Sequence, residues 1–268
     1  MLSQEQNKSL RLTALNIKKR FLHMYNKANA GHIGSSLSCT EILTFIFFGW
    51  LEDEDELILS KGHAAAGLYS CLAEKNIITE NEIDTFYKNG TYLSAHPPPA
   101  KINKIPFATG SLGHGLSLAC GLALAKKLKG ATGKIFCITS DGELNEGSTW
   151  EAAMAISHHQ LNNVIWFIDN NNLQGFGRTS DVINMGSISE KLKSFGFEVH
   201  SADGHKFTEL EQIKMEYKSQ GLPTAIICNT FKGRGWKEYE DKIDSHYLPL
   251  KENGIEELIW HLENETFD

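Results

Sequence analysis

The sequence predicts an α/β fold, a parallel sheet covered by helices on both faces. Three observations predict it. The runs Ile135-Phe136-Cys137-Ile138, Val164-Ile165-Trp166-Phe167-Ile168 and Ala225-Ile226-Ile227-Cys228 are continuously apolar and of strand length, as strands buried on both faces are. Segments of helical pattern lie between them. Strand and helix alternate through the second half of the chain, the order of a parallel sheet with crossover helices. The 268 residues suit one large α/β unit or two small ones, and residues 1–268 are read as a single domain.

In chain order, Ala14, Ile17, Phe21 and Met24 recur at helical spacing and predict an amphipathic first helix. Ser38-x-x-Glu41 reads as a capping box opening a very apolar second helix that runs to Trp50. The acidic run Glu52-Asp53-Glu54-Asp55-Glu56 reads as a solvated loop. Thr79-x-x-Glu82 opens a short helix, and Pro97-Pro98-Pro99 marks a loop. A small-residue helix spans Leu116 to Lys129 and ends at Gly130. After the first buried run a helix covers Thr149 to His159, with Ser148 and Glu151 as its capping box. A helix from Ile188 to Phe195 stops at Gly196, and Thr208-x-x-Glu211 opens another before the third run.

Composition excludes several classes. A hydrophobic share of 41% with 22% charged residues is that of a globular chain with a core able to hold a ligand. Net charge is −7 and Lys and Arg are scattered, so no nucleic-acid footprint is expected. The five cysteines stand singly without CxxC spacing, which predicts free buried thiols rather than zinc or disulfides. The N-terminus lacks the layout of a signal peptide, and no apolar stretch is expected to reach membrane-span length. A cytoplasmic protein is expected.

In open parallel sheets ligands collect beyond the carboxyl ends of the strands. After the first run stands Ser140-Asp141-Gly142-Glu143-Leu144-Asn145-Glu146-Gly147, and after the second Asp169-Asn170-Asn171-Asn172-Leu173-Gln174-Gly175. Asp141 offers a carboxylate, Asn171 an amide oxygen, and the turn after Asn171 free backbone carbonyls. Such a set suits magnesium, which takes few protein oxygens and completes its shell with phosphate and water, and it suits zinc poorly. Gly142 lets a backbone N–H approach a phosphate, and the helix after Gly147 points its positive end the same way. Together they propose a diphosphate held by a divalent cation. Either segment alone is also an ordinary Asn/Gly turn; their spacing across one β-α-β unit favours the site.

The segment from Asp141-Gly142 to Asn171 resembles the motif of enzymes that use thiamine diphosphate. Gly31-His32-Ile33-Gly34-Ser35-Ser36-Leu37-Ser38, Leu59-Ser60-Lys61-Gly62-His63-Ala64, Ala95-His96-Pro97 and Thr109-Gly110-Ser111-Leu112-Gly113-His114-Gly115 resemble transketolases in particular, in order and over nearly the whole chain. The resemblance implies the diphosphate-binding module of the thiamine diphosphate-binding fold. It implies Asp141, Asn171 and the Leu173 carbonyl as ligands of Mg2+, or of Ca2+ or Mn2+ in its place. Gly110, Ser111, Leu112, Gly142, His63 and His246 would lie along the cofactor, with Glu146 at a subunit interface beside it. His32, His96 and His246 would be catalytic, moving protons and binding the substrate's hydroxyls and carbonyl. Ser140 stands where the family usually has Gly, a change to be tolerated if that turn needs no positive φ.

The implied reaction transfers a two-carbon ketol unit from a ketose or its phosphate to an aldose or its phosphate, with the cofactor carrying the chemistry. A full transketolase resembles this chain only in its first part. The glutamate that activates the aminopyrimidine ring and the residues gripping the sugar phosphate belong to later parts. The chain is therefore expected to work with a second subunit carrying the pyrimidine-binding and C-terminal parts, in an α2β2 assembly. Three rivals remain. One is a ketol or acyl transferase on an unusual or activated sugar. The α subunit of a 2-oxoacid dehydrogenase lacks the Gly31-His32 and Gly62-His63 pairs. The last is a non-catalytic cofactor-binding subunit. Of the remaining histidines, His23, His158, His159, His200, His205 and His261 read as surface or structural, and His114 as a neighbour of the cofactor turn.

Overall fold

The computed structural model describes residues 2–99, 102–251 and 254–264. Its first half is helical: α1 (Gln4–Ala28), α2 (Ile33–Phe45) continued by a π-helical turn (Ile46–Trp50), strand β1 (Glu56–Leu59), α3 (Ala65–Glu74), α4 (Glu80–Ile83) and α5 (Gly115–Lys129). The second half alternates: β2 (Ile135–Ser140), α6 (Gly147–His158), β3 (Val164–Asn170), the short pair β4 (Leu173–Gln174) and β5 (Gly177–Arg178), and α7 (Thr179–Val182). Then come α8 (Ile188–Ser194), β6 (Glu198–Asp203), α9 (Phe207–Glu216), β7 (Thr224–Asn229), α10 (Asp244–Tyr247) and α11 (Gly254–Glu263).

Five strands form one sheet in the order β1-β2-β3-β7-β6, every neighbouring pair parallel. Its side chains divide by parity, as a two-residue period requires. Phe136, Ile138, Ile165, Phe167 and Ile226 pack against α1, α2, α3, α9 and α11. Ile135, Cys137, Val164, Trp166, Ile168 and Ala225 pack against α5, α6 and α8. Helices thus cover both faces, as the apolar runs predict. The stripe of α1 is buried as expected, with Ile17 and Phe21 fully so; a side chain such as Phe21 contributes roughly 2–3 kcal/mol by leaving water.

The capping boxes divide. Thr79 and Glu82 form one at α4. Ser38 and Glu41 do not: α2 starts at Ile33 with His32 as its N-cap, six residues before Ser38, and both side chains are buried inside it. Ser38 donates to the Asp169 carboxylate at 2.6 Å and Glu41 pairs with Lys18 at 2.6 Å. Ser148 lies within α6 and donates to the Gly113 carbonyl at 2.9 Å, while Glu151 is exposed. Thr208 lies within α9, where Glu209 instead reaches back to the Asp203 N–H at 2.7 Å. A buried helix is placed by its packing, which recruits such residues for tertiary bonds.

Three further expectations meet the structure. Residues Ile33–Trp50 are long and apolar enough to cross a membrane, contrary to the sequence reading, yet the stretch is 89% buried within the fold as a core helix. Asp55 is not solvated: it is fully buried, accepts the Lys134 N–H at 2.6 Å and pairs with its ammonium at 3.0 Å. The cysteines are all free, four buried and Cys120 partly so, and among the described residues no group of three His, Cys, Asp or Glu could hold a metal.

Candidate active site

Register brings the two predicted segments together. Ser140 on β2 pairs with Asp169 on β3, and the Asp141 N–H donates to the Asp169 carbonyl at 3.1 Å. Asp141 therefore sits at the carboxyl edge of the sheet. One of its oxygens accepts the Gly142 N–H at 2.9 Å, and the other accepts the Asn172 N–H at 2.6 Å and the Thr179 hydroxyl at 3.4 Å. Asn172 adopts a left-handed conformation, φ 60°, which asparagine tolerates better than most residues. Asn171 is buried; its Oδ1 accepts the Leu173 N–H at 3.1 Å and its Nδ2 has no protein partner. Ser140 has no positive φ and its hydroxyl accepts the Glu143 N–H at 3.3 Å, so serine costs the turn nothing.

Burial and the nearby Asp169 charge push the Asp141 carboxyl up to about 7, against the pull of Lys232 and the two N–H donors. Lys232, from the loop after β7, is buried and donates to the Leu173 carbonyl at 3.3 Å. Burial and the Lys61 charge lower its ammonium to about 8. Sequence reading missed Lys232, although the strand-end rule that found Asp141 and Asn171 points equally to the residues following β7.

A dry polar layer supports this edge. Lys61 and Asp169 form a fully buried ion pair. Lys61 also donates to the Ser35 carbonyl at 3.1 Å, and Asp169 accepts the Ser38 and Thr230 hydroxyls. Glu143, fully buried, accepts the Ser60 hydroxyl, the Gly113 N–H at 2.8 Å and the Ser140 N–H at 3.3 Å. One carboxylate thereby ties β1, the 110–115 turn and β2 together. No sequence signal marks it, because two of its three partners lie 30 and 83 residues away.

Four histidines from four segments converge above. The His32 ring lies 5.5 Å from His63, 6.3 Å from His96 and 5.0 Å from His246, and His63 lies 5.5 Å from His246. His32 precedes α2 at φ 69° and its N–H donates to the His246 carbonyl at 3.0 Å. The approach needs Gly31, where a Cβ would fall 2.3 Å from the Tyr247 carbonyl oxygen. Gly110, at φ 144°, lets the 109–113 turn lie against His96, whose ring a Cβ there would meet at 2.9 Å. Burial is the first cause that keeps all four rings neutral, lowering His32 to about 4, His246 to about 3, and His63 and His96 below the usual value. The Nδ1 atoms of His32 and His246 are buried with no protein partner.

Not every predicted residue joins this cluster. Leu112 is partly buried, and its carbonyl pairs with His114 Nδ1 at 3.3 Å. Ser111 is exposed in the same turn, and Glu146 is exposed at the start of α6, close beside Gly113. His205 is structural as read: its Nε2 accepts the Phe231 N–H at 3.1 Å, which leaves Nδ1 to donate to Glu41 at 2.9 Å.

This arrangement coincides with a known family over almost the full chain. The transketolase thiamine diphosphate binding domain matches residues 13–267. The chain belongs to the transketolase family. It is 36% identical to an apulose-4-phosphate transketolase subunit of Actinobacillus succinogenes, covering 90% of both chains. It is likewise 36% identical to the 6-deoxy-6-sulfo-D-fructose transketolase subunit SqwG of Clostridium sp. (strain MSTE9), covering 97% of this chain and 98% of that one. Human transketolase is 35% identical, with 96% of this chain matching 42% of that protein. The transketolase of Campylobacter jejuni superposes with a TM-score of 0.89 at 28% identity, over 95% of this chain and 42% of that one. Relatives of transketolase therefore occur both at this chain's length and at more than twice it.

Proposed function

We propose that this chain, as a single domain over residues 1–268, is the diphosphate-binding subunit of a two-chain transketolase. It would hold thiamine diphosphate with Mg2+, or Ca2+ or Mn2+ in its place, and work with a second subunit carrying the remaining transketolase parts, as α2β2. Relatives of the same length that are themselves named transketolase subunits support the division of labour. One observation carries the site: the buried Asp141 carboxylate, an amide and a backbone carbonyl lie at adjacent strand ends, beside a buried lysine and four neutral histidines.

The residues present fit the absent group. Of the four lone pairs on the Asp141 carboxylate three are engaged, which leaves one on the oxygen that accepts only the Gly142 N–H, and a bound cation would offset the burial that raises this carboxyl. The Leu173 carbonyl already attracts one, the Lys232 ammonium. The unpartnered Asn171 Nδ2 marks a polar group left for a ligand. Asp141, Asn171 and the Leu173 carbonyl would hold the metal; Lys232 and His63 would face the diphosphate, and Gly142 would lie beside it with its N–H given to the Asp141 carboxylate and not free for a phosphate. Gly110, Ser111 and Leu112 would line the cofactor, with Glu146 towards the second subunit.

When bound, the cofactor supplies a nucleophilic carbon that takes up and releases the two-carbon ketol unit. The chain's own residues orient and move protons. His32, His96 and His246, uncharged at neutral pH, would each offer one donor and one acceptor to sugar hydroxyls and carbonyl. The substrates would be a ketose and an aldose, free or phosphorylated. The cytoplasm is the expected compartment.

The test is calorimetry of thiamine diphosphate with magnesium on the chain mixed with its partner, alongside a coupled ketol-transfer assay. Asp141→Ala and Asn171→Ala should abolish cofactor binding, and turnover should require the second subunit. Unchanged cofactor affinity in Asp141→Ala, or robust turnover by the isolated chain, would overturn the reading.

A further inference from the structure

One side chain without a role so far touches three elements that build the site. Tyr247 closes α10. Its hydroxyl donates to the Gly175 carbonyl at 2.8 Å, in the turn joining β4 and β5. Its ring meets the His246 ring edge-on at 4.5 Å and lies 6.4 Å from His32. Its backbone carbonyl packs against Gly31, immediately before His32. Yet the residue is 53% exposed, so it stands at the rim of the histidine cluster and not in the core.

The hairpin it holds needs holding. β4 and β5 are two residues each and stand apart from the main sheet, and a ribbon so short has little stability of its own. Phe176 at its tip is 86% exposed. It is tied to the rest of the fold by the Lys232 bond to the Leu173 carbonyl at 3.3 Å, the Gln174 bond to Asn145 at 2.8 Å, the Arg178–Asp241 pair and the Tyr247 hydroxyl. The ion pair is exposed and contributes little. The hairpin begins at Leu173, whose carbonyl is one of the oxygens assigned above.

We propose, resting on the functional reading above, that Tyr247 is a positioning residue with two separable parts. Its hydroxyl ties the hairpin bearing the Leu173 carbonyl to the His246 turn. Its half-exposed ring braces His246 and forms a wall at the mouth of the site, against which the C–H face of a sugar packs. A tyrosine suits both tasks, being apolar along its body and polar at one end.

Two variants separate the parts. Tyr247→Phe keeps the ring and loses the bond to Gly175. In the chain without cofactor, hydrogen exchange over 173–178 should quicken about fivefold, the worth of one net hydrogen bond, while the unfolding midpoint holds. With partner subunit, magnesium and thiamine diphosphate, its cofactor Kd should rise about fivefold and its sugar KM stay level. Tyr247→Ala should add a rise of roughly tenfold in sugar KM, as one fully desolvated contact is lost. Unaltered exchange in Tyr247→Phe overturns the tie. Equal sugar KM in the two variants overturns the wall. Should the wild-type chain bind no cofactor, the functional reading fails, and the exchange measurement still decides the tie.

Discussion

Replacing Lys61 by methionine removes one member of an ion pair that is wholly dry. Both side chains of the Lys61–Asp169 pair have zero exposure, so neither can recover water without opening the core. Lys61→Met leaves the Asp169 carboxylate with only the Ser38 and Thr230 hydroxyls as side-chain donors. Breaking a buried pair in this way costs about 3–5 kcal/mol, far more than the net worth of the intact pair. A chain of this size shifts by about 2–4 °C per kcal/mol, so the variant should melt roughly 10 °C lower. The lone carboxylate's pKa is then raised above its unfolded value. Its stability contribution is present at low pH and lost as pH rises, so the deficit should narrow between pH 7 and 5. Thermal unfolding followed by circular dichroism on wild type, Lys61→Met and Lys61→Met/Asp169→Leu measures it. The double variant should recover most of the loss, because an apolar pair of similar volume replaces the ions without an orphaned charge. A melting point within 2 °C of wild type in Lys61→Met, or a double variant below the single, would refute the reasoning.

The neutral histidines make the cofactor-free protein acid-sensitive. Their folded pKa values lie below the unfolded 6.5, so stability is unaffected above that pH and falls as pH drops below it. Allowing for the partial exposure of His32 and His246, the loss from pH 6.5 to 5.5 should be about 2 kcal/mol, read by urea unfolding at both pH values; a flat profile contradicts it. Glu41 is held at about 2 because Lys18 and His205 outweigh its burial. It therefore stabilises above pH 4.5 and loses that effect as pH falls towards 2, and Glu41→Gln should cost about 3 kcal/mol at pH 7 in the same assay. In the assembled enzyme, His32→Ala and His96→Ala should keep cofactor affinity while turnover falls and sugar KM rises; loss of the cofactor in either would reassign that residue.

The legible parts of this protein are those where one residue type has one use. Apolar runs of four or five residues such as Val164–Ile168, set between helical patterns, read as covered strands, so β2, β3 and β7 are legible, although Phe45-Ile46-Phe47 is as apolar and is buried in a helix. β1 hid behind the acidic run at Glu52, and β6 carries partly exposed Glu198 and His200 and exposed Ser201, which an edge strand permits and a periodicity reading does not see. Capping boxes were sound at the exposed α4 and misleading at Ser38, Ser148 and Thr208, because Ser, Thr and Glu serve equally well in tertiary bonds.

The covered parallel sheet and the two strand-end segments around Asp141 and Asn171 are legible along the chain, because burial pattern and short-range spacing are properties of neighbours. The family is legible as a resemblance, carried by five motifs in register. Which histidines face one another, that Lys232 lies on the Leu173 carbonyl, and that Lys61 meets Asp169 were decided only by the tertiary structure. Lys61 and Asp169 are separated by 108 residues, and Lys232 and Leu173 by 59. Their meeting follows from strand order and register: β1, β2, β3 and β7 stand side by side and deliver their carboxyl-end loops to one edge, where side chains from distant segments share one desolvated space.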